Sequence, residues 1–308
     1  MAKAKPFIKW VGGKGQLIEQ LEALLPADFA ERRDVTYIEP FVGGGAMLFY
    51  MLQTYPNIKS AVINDINPDL TLSYQVVRDN PAELIKSLDA IQTEYYALKD
   101  EELRRSFYLT QRDIFNSKQL NDIDNTTLFF FLNRTCFNGL YRVNKAGRFN
   151  VPFGKYTTPT ICDAATIYAD SEILQKVEIM TGDFEQTYSR IKGNTFFYFD
   201  PPYRPLSTTS SFNDYAKEDF NDEAQIRLKR FCDRLNNVGI NFMLSNSDCL
   251  GQDGKDRFFD DLFVDYRIER VWASRNINVI ASKRGKLTEI VVGNYYNLQL
   301  LKPNLRYD

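Results

Sequence analysis

Four consecutive residues, Asp200-Pro201-Pro202-Tyr203, place a carboxylate, two imide carbonyls and an aromatic ring next to one another. They follow the apolar and aromatic run 194–199, which has the composition of a buried strand. Ligands of open α/β sheets bind at the carboxyl ends of strands. The group suits a flat heterocycle with an exocyclic amine, because Asp200 and the Pro201 carbonyl can accept amine hydrogens while Tyr203 covers the ring. The same residues could instead end a strand and cap a turn, so this motif alone leaves both interpretations open.

The composition excludes several kinds of catalytic chemistry. The 308 residues include no histidine, and the 4 cysteines are scattered, with none in a Cys-x-x-Cys pair. A Ser-His-Asp or Cys-His apparatus and a histidine-ligated zinc site are therefore excluded, and any general base must be a carboxylate, lysine or tyrosine. The length predicts about two domains. No run is long and apolar enough for a membrane span, and the first residues lack the core of a signal peptide, which predicts a cytoplasmic protein.

The charge is unevenly distributed along the chain. The net charge of −2 argues weakly against a nucleic-acid-binding protein. Residues 1–18, 134–155 and 275–286, however, carry four, five and four basic residues and no acidic one. Three basic segments on an acidic body predict a localised polyanion-binding surface, although each segment alone could be an ordinary solvated face.

Strands and helices alternate at the start of the chain. The predicted elements are a strand at 35–39, a helix at 46–53, a strand at 60–64 and a helix from Pro68. Asp65 follows Gly43 by 22 residues, a spacing typical of nucleotide-binding βαβ units in which glycines admit the ligand and the distal acid binds ribose hydroxyls. Gly43-Gly44-Gly45 is not the dinucleotide fingerprint. The pattern therefore disfavours a pyrophosphate ligand and fits S-adenosylmethionine.

A long helical stretch at 69–132 separates this unit from the later strands and predicts an inserted helical subdomain. The alternation then resumes with strands at 177–181, 194–199, 240–245, 264–272 and 287–296 and a helix at 222–237. Residues 204–219 are rich in Ser, Thr, Pro and Asp and predict a mobile loop beside Asp200.

The acid-free segment 138–152 has the pattern of a two-stranded hairpin with a glycine in its turn. Leu140, Arg142 and Asn144 would share one face. Two-stranded ribbons fit the major groove of DNA, where arginine pairs with guanine and apolar groups touch the thymine methyl group. The segment could also be a structural hairpin that packs Tyr141 and other aromatic rings on the helices. Both interpretations can hold, because they use opposite faces.

Four motifs occur in the order in which the Dam family of DNA adenine methyltransferases, the α-class amino-methyltransferases, carries them. They are Pro6–Lys14, Glu39–Gly45, Leu132–Tyr156 and Asp200–Tyr203. The chain resembles that family over nearly its whole length. The resemblance implies an α/β fold: a Rossmann-like S-adenosylmethionine-dependent methyltransferase sheet from residues 1–72 and 163–308, with an inserted helical DNA-recognition domain at 73–162 that carries the β-hairpin. The implied activity is site-specific N6 methylation of a flipped adenine in double-stranded DNA, at the sequence GATC.

The resemblance also assigns roles to individual residues. The catalytic motif would be Asp200, Pro201, Pro202 and Tyr203. The cofactor S-adenosylmethionine, which leaves as S-adenosylhomocysteine, would contact Trp10, Lys14, Phe41, Gly43, Gly45, Asp65, Asp183, Phe184 and Asp200. DNA would contact Lys9, Phe137, Asn138, Leu140, Arg142, Pro152 and Tyr156. In these assignments Lys9 and Arg142 recognise guanine, Leu140 and Pro152 contact thymine, and Phe137 with Asn138 fills the space left by the flipped base. Neither a metal nor an obligate protein partner is implied, and the expected location is the bacterial or phage nucleoid.

Such an enzyme needs no histidine. The adenine amine is a poor nucleophile because its lone pair is delocalised into the ring. Two acceptors out of the ring plane, Asp200 and the Pro201 carbonyl, would favour a pyramidal nitrogen whose lone pair faces the methyl group. A stacked base cannot reach such a pocket, so it must be flipped out and stacked on Tyr203.

Other classes fit the sequence less well. Cytosine-C5 methylation requires a cysteine nucleophile, usually in a Pro-Cys pair, and none of the 4 cysteines follows a proline. Cytosine-N4 enzymes usually have serine where this chain has Asp200, and protein-glutamine methyltransferases usually have asparagine. A DNA-binding regulator without catalysis would not need the complete motif together with Trp10 and Lys14. The sequence leaves open whether the enzyme belongs to a restriction-modification system or acts alone.

Overall fold

The structure of the protein is a computed structural model that describes residues 2–204, 220–250, 256–274 and 286–295. The predicted loop at 204–219 lies outside the described residues except for Arg204. The predicted basic segment at 275–286 lies outside them except for Lys286.

Within the described residues, seven strands form one sheet in the order β3-β2-β1-β4-β5-β7-β6. The strands are β1 (Val35–Glu39), β2 (Ile58–Asp65), β3 (Val177–Thr181), β4 (Thr195–Phe199), β5 (Asn241–Ser247), β6 (Arg267–Ser274) and β7 (Lys286–Gly293). Strand β4 pairs in parallel with β1 and β5, whereas β7 is antiparallel to both β5 and β6. The predicted α/β class is confirmed, and the sheet is consistent with a Rossmann-like methyltransferase fold. Every strand predicted for the sheet is present, with ends that differ by at most three residues.

Helices and short 3-10 turns connect these strands. The helices are α1 (Ile18–Ala23), α2 (Ala46–Thr54), α3 (Pro68–Asp79), α4 (Pro81–Ala97), α5 (Glu101–Asn116), α6 (Asp122–Thr135), α7 (Ala164–Leu174), α8 (Asp222–Asn237) and α9 (Phe258–Leu262). The 3-10 turns span Lys14–Gln16, Phe29–Glu31, Phe137–Gly139 and Phe184–Arg190. No helix in the described part of the chain is long and apolar enough to cross a membrane.

The central strands are buried along their whole length. All five residues of β1 and all five of β4 are buried, as expected for parallel strands that are covered on both faces. Phe199, the last residue of β4, packs edge-on against Phe231 of α8 and Phe242 of β5. Asp200 follows directly, so the predicted catalytic motif begins where this buried strand ends.

Local sequence sets the start of the helix that follows Asp65. The side-chain carbonyl of Asn67 accepts the N–H groups of Asp69 and Leu70, and Pro68 occupies the first helical position of α3. Because Asn67 can cap only a helix that begins at its own position, the chain must turn directly after β2. Asp65 is thereby held at the last position of β2, with only Ile66 between it and the cap.

The chain divides into two compact units. The first unit comprises Met1–Gly13, Val42–Thr54 and Ile63–Phe184, and the second comprises Lys14–Phe41, Tyr55–Val62 and Glu185–Asp308. The first unit is largely helical from Pro68 to Thr135, as predicted for residues 69–132. Helix α6 is its core element, since it packs against α3, α4 and α5 and is buried on most sides. The functional boundaries at 73 and 162 stay a prediction.

The hairpin segment runs antiparallel, as predicted, but isolated bridges replace regular strands. The bridges pair Val143 with Phe149 and Cys136 with Phe153. Gly147 adopts a φ of 71°, and its N–H donates to the Asn144 carbonyl at 2.8 Å. The side chain of Asn144 also accepts the N–H groups of Ala146 and Arg148, so it closes the turn. The predicted structural packing is present as well, as the aromatic pairs Tyr141–Phe129, Phe149–Phe115 and Phe153–Tyr108.

Candidate active site

A charged cluster surrounds Asp200 in the second unit. Lys14 Nζ lies 2.9 Å from Oδ1 of Asp200 and 3.3 Å from Oε2 of Glu289. The Lys14 ammonium also donates to the hydroxyl of Tyr203, which in turn donates to Glu289. The same ammonium lies 4.2 Å from the centroid of the Tyr203 ring. One lysine therefore holds the carboxylate and the ring of the predicted catalytic motif at the same time.

Burial and charge oppose each other at Asp200. Desolvation raises the pKa of Asp200 to about 6, against the lowering effect of Lys14. Glu289 adds to the rise because it is a like charge, and a hydrogen bond from Ser245 works against it. Lys14 is only 4% exposed, so its ammonium depends on the two carboxylates to offset its desolvation. Asp200 is consequently an ionised acceptor at neutral pH and loses that state in mild acid.

Two buried amides hold the backbone of the motif. Gln225 of α8 donates to the Pro202 carbonyl at 3.1 Å, and Asn246 of β5 donates to the Gln225 side chain at 3.2 Å. Both side chains are almost completely buried. Ser245, also on β5, lies 3.5 Å from Oδ1 of Asp200 and within 2.9 Å of the Tyr198 hydroxyl. The strand and helix next to β4 thus fix the direction in which the motif leaves the sheet.

The end of strand β1 and the residues that follow it lie in the same unit. Phe41 packs edge-on against Phe220 at 5.4 Å and lies 6.5 Å from the Phe199 ring. Glu39 is 2% exposed and accepts a hydrogen bond from the Tyr37 hydroxyl at 3.0 Å. Burial raises the pKa of Glu39 well above its ordinary value, and the nearby charge of Asp200 raises it further. Glu39 is therefore a carboxyl group that resists ionisation, unlike Asp200.

In the first unit, the predicted glycine loop and Asp65 are directly connected. The Gly43 N–H donates to Oδ2 of Asp65 at 3.1 Å, and the Asn67 N–H donates to Oδ1 at 3.0 Å. Trp10 lies against the loop, since a Cβ added at Gly43 would be 2.9 Å from Cδ1 of Trp10. A Cβ added at Gly45 would clash with the Tyr74 hydroxyl. Glycine is required at both positions because each also has a positive φ.

Asp183 and Phe184 lie beside this arrangement. The N–H of Gly182, the residue before them, donates to the Asp65 carbonyl at 3.0 Å. The Gly182 carbonyl accepts from Asn64 at 2.9 Å. The ends of β2 and β3 are thereby held together. Desolvation raises the pKa of Asp65, and backbone N–H donors, including those of Asn67 and Gly43, lower it again. This carboxylate is thus stabilised by main-chain dipoles.

The predicted DNA-contacting residues also lie in the first unit. Asn133, at 3% exposure, accepts the Lys9 N–H at 2.8 Å and donates to the carbonyls of Lys9 at 2.8 Å and of Gly139 at 3.0 Å. A Cβ at Gly139 would clash with the stem of Lys9. The Lys9 ammonium lies 5.1 Å from the centroid of the Tyr156 ring. One buried amide therefore fixes Lys9 against the start of the hairpin segment.

The remaining predicted contact residues lie on the hairpin segment. The exposed Arg142 donates to the side chain of Asn150 at 2.7 Å and to its carbonyl at 3.2 Å. Phe137 leaves 51% of its surface exposed, and Asn138 adopts a φ of 56°. Pro152 is exposed and Leu140 is half-buried. The structure brings these residues together on one unit, and it leaves their contacts with DNA a prediction.

Sequence reasoning missed three residues of these networks: Glu289, Gln225 and Asn133. Glu289 is the only acidic residue in the largely apolar strand Lys286–Gly293, and that exception could have identified it. Gln225 lies on a strongly amphipathic helix, at a position that is buried. Asn133 follows a run of buried aromatic residues in α6. A polar residue at a core position is the common feature of all three.

Comparison with known proteins gives consistent matches. A family model described as D12 class N6 adenine-specific DNA methyltransferase matches residues 10–277. The Type II methyltransferase M.MjaIII of Methanocaldococcus jannaschii is 46% identical over 297 residues, which cover 95% of this chain and 100% of that protein. The Type II methyltransferase M1.LlaDCHI of Lactococcus lactis subsp. cremoris is 38% identical over 298 residues, covering 95% and 96%. A DNA adenine methylase of Vibrio cholerae is 31% identical over 292 residues, covering 94% and 96%.

These matches confirm the resemblance that the four sequence motifs predicted, and with it the enzyme class. They extend over nearly all of the chain and of each relative, so both units are included. The protein belongs to the D12 class of N6 adenine-specific DNA methyltransferases.

Proposed function

We propose that this adenine-specific DNA methyltransferase acts on the adenine of GATC in double-stranded DNA, which it flips out of the helix, with S-adenosylmethionine as methyl donor. The observation that carries the proposal is the placement of Asp200. Its carboxylate follows a completely buried strand, remains 22% exposed, and is adjacent to Pro201 and to a ring held by Lys14 and Glu289. A carboxylate in that position can accept a hydrogen from an exocyclic amine.

The glycine loop and Asp65 fit the nucleoside part of S-adenosylmethionine. Glycine at position 43 leaves the backbone open beside Trp10, where a side chain would collide with the indole. Each Asp65 oxygen already accepts one backbone N–H, and an ionised carboxylate has further lone pairs for ribose hydroxyls. When bound, S-adenosylmethionine supplies an electrophilic methyl group. The residues proposed to bind it are Trp10, Lys14, Phe41, Gly43, Gly45, Asp65, Asp183, Phe184 and Asp200.

The catalytic motif positions the target amine. Asp200 and the Pro201 carbonyl accept the two amine hydrogens out of the ring plane, so the nitrogen becomes pyramidal and its lone pair is available. The negative charge of Asp200 also stabilises the positive charge that develops on that nitrogen. Tyr203 stacks on the flipped base. Asp200 acts as an acceptor and needs no prior removal of a proton, because the nitrogen loses one of its protons, to the ionised Asp200, only once the bond to the methyl group forms.

Recognition of the site is proposed for the hairpin segment and Lys9. Lys9 and Arg142 contact guanine, Leu140 and Pro152 contact thymine, and Phe137 with Asn138 occupies the gap left by the flipped base. The Tyr156 ring stabilises the Lys9 ammonium through a cation–π contact. Residues 73–162 would then be the target-recognition domain. The Phe137 ring is 51% exposed, so its face is accessible for stacking on a base.

Two of the relatives, at 46% and 38% identity, are named Type II methyltransferases. Their names support a role for this chain as the modification enzyme of a restriction-modification system, in which it would protect host DNA from a paired endonuclease. The relative from Vibrio cholerae is named a DNA adenine methylase.

Tritiated methyl transfer to defined duplexes tests the proposal. We expect transfer to a duplex with one GATC site, and N6-methyladenine after digestion to nucleosides. Duplexes in which one of the four bases is changed serve as matched controls, and each change should reduce kcat/KM by about 10- to 100-fold. Equal transfer to the changed duplexes would overturn the GATC assignment. Methylcytosine as the product would overturn the adenine chemistry.

A further inference from the structure

Glu289 contacts two members of the proposed catalytic group, although no sequence motif includes it. It lies on β7, opposite Ser247 of β5 in the antiparallel register. Its carboxylate is 3.3 Å from Lys14 Nζ and accepts a hydrogen bond from the Tyr203 hydroxyl. Its side chain is only 16% exposed. Burying a carboxylate to this extent costs desolvation free energy, so its contacts must stabilise it and give it a role in the cluster.

The first effect of Glu289 is on the ion pairing of Lys14. With Asp200 alone, the buried ammonium would have one carboxylate, and the target amine would have to compete with Lys14 for it. Glu289 gives the ammonium a second carboxylate. Lys14 can then remain paired while an oxygen of Asp200 accepts the amine hydrogen. The cluster also carries two carboxylates against one ammonium, so a net negative charge remains beside the nitrogen that becomes positive.

The second effect of Glu289 is on the orientation of the Tyr203 ring. Its hydroxyl is held between the Lys14 ammonium and the Glu289 carboxylate. The ring is thereby fixed at its far end, and a preorganised ring loses less entropy when a base stacks on it. Glu289 thus acts on the acceptor through Lys14 and on the stacking ring through its own hydrogen bond.

We propose that Glu289 is a positioning residue for methyl transfer, which holds Lys14 away from exclusive pairing with Asp200 and orients Tyr203 for the target base. The inference rests on the proposed role of Asp200 as the amine acceptor. Among the described residues, the charged and titratable groups that face Asp200 are Lys14, Glu289, Tyr203, Tyr198, Tyr37 and Glu39. Among the carboxylates of this group, Glu289 is the one that contacts Lys14 besides Asp200 itself.

The decisive variant is Glu289→Gln, which keeps a hydrogen-bond acceptor for Tyr203 and removes the charge. Lys14 then pairs with Asp200 alone, so kcat should fall by about 10- to 100-fold. Removal of the like charge also lowers the pKa of Asp200. The acid limb of the pH profile, where kcat/KM falls as the pH decreases, should therefore move to lower pH. The Kd for DNA should change little, and the melting temperature should fall, because the buried Lys14 loses one of the two carboxylates that offset its desolvation; the shift of the acid limb is therefore the deciding readout. Glu269→Gln is the matched control, because Glu269 lies on the neighbouring strand and pairs with Arg267.

A merely structural role would give a different result. It also predicts a lower melting temperature and a smaller active fraction, but with the acid limb in its original place. That outcome, or a normal kcat with an unmoved limb, overturns the inference. Glu289→Asp is the second variant, since it keeps the charge but shortens the reach. It should give an intermediate kcat, and full activity in both variants would overturn the inference.

Asp200→Asn, measured in parallel, separates this inference from the proposed function. If Asp200→Asn transfers methyl groups normally, the acceptor role fails regardless of Glu289. If Asp200→Asn is inactive while Glu289→Gln matches the unaltered enzyme in rate and pH profile, only the role of Glu289 fails.

Discussion

Asp65 is the last residue of β2 and Asp200 follows the last residue of β4, and both are carboxylates with a pKa raised by desolvation. They differ in what holds the charge. Asp65 receives backbone N–H groups from Gly43 and Asn67, which cannot leave without unfolding the loop. Asp200 receives a lysine ammonium, a flexible side chain that Glu289 can also bind.

The difference separates two kinds of acceptor. Main-chain donors make Asp65 a fixed acceptor, which suits a cofactor that must bind in the same way in every cycle. A side-chain donor makes Asp200 adjustable, which suits a group that must exchange its partner for the target amine. Mutation should therefore affect binding at one carboxylate and the chemical step at the other.

Replacing Asp200 should give the largest effect. In Asp200→Ala the amine loses its charged acceptor, so we expect single-turnover methyl transfer to fall by on the order of 10²–10³-fold or more. DNA binding, measured by fluorescence anisotropy, should remain. Near-normal transfer by this variant would remove Asp200 from the mechanism.

Asp65→Asn should weaken cofactor binding more than catalysis. One donor group of the amide would face the Gly43 or Asn67 N–H, and the charged acceptor for the ribose would be lost. We expect the Kd of S-adenosylmethionine to rise by about 10- to 100-fold in calorimetry, with a smaller change in the rate at saturation. The exposed Asp113→Asn is the control. If Asp65→Asn binds S-adenosylmethionine normally but transfers methyl groups much more slowly, Asp65 acts in the chemical step and not in cofactor binding.

The pH dependence should sharpen the comparison further. Asp200 has a pKa of about 6, so kcat/KM should fall as the pH drops through that value. Lys14 lowers this pKa, and its removal in Lys14→Gln should move the acid limb to higher pH. The shift is opposite in sign to the one expected for Glu289→Gln. If the acid limbs of both variants move in the same direction, Lys14 and Glu289 do not have opposite effects on the pKa of Asp200.

Asn133→Asp should give the smallest effect on rate and a selective effect on specificity. The carboxylate cannot donate to the carbonyls of Lys9 and Gly139, so Lys9 loses its fixed place. We expect the ratio of kcat/KM between GATC and singly changed duplexes to fall by about 3- to 10-fold. Asn57→Asp is a matched control, because Asn57 also donates to two carbonyls, those of Phe29 and Arg32. An equal loss of discrimination in both variants would indicate general destabilisation.

The sequence predicted those features that depend on neighbouring residues. Helix 222–237 and strand 35–39 were predicted with the observed ends, because apolar spacing and capping residues are local properties. The proximity of Gly43 and Asp65 could also be predicted, since the βαβ pattern places residues at this spacing at neighbouring strand ends. The Lys14–Glu289 pair was not, because no local pattern joins the first basic segment to an acid on the last described strand. Asn133 was missed for a similar reason: its partners include a backbone 124 residues away.

The attachment of the first residues has a consequence for how the enzyme matures on the ribosome. Lys5 and Lys9 donate their backbone N–H groups to side chains 165 and 124 residues later, and Lys14 meets Tyr203 189 residues later. Residues 5–14 therefore cannot complete these contacts until residue 203 has been synthesised. Closing such long loops is slow, which makes late ordering of the N-terminal segment the expected final stage of folding. A nascent chain without β7 would also lack Glu289, so the charged cluster around Asp200 would stay incomplete until Lys286–Gly293 has been synthesised.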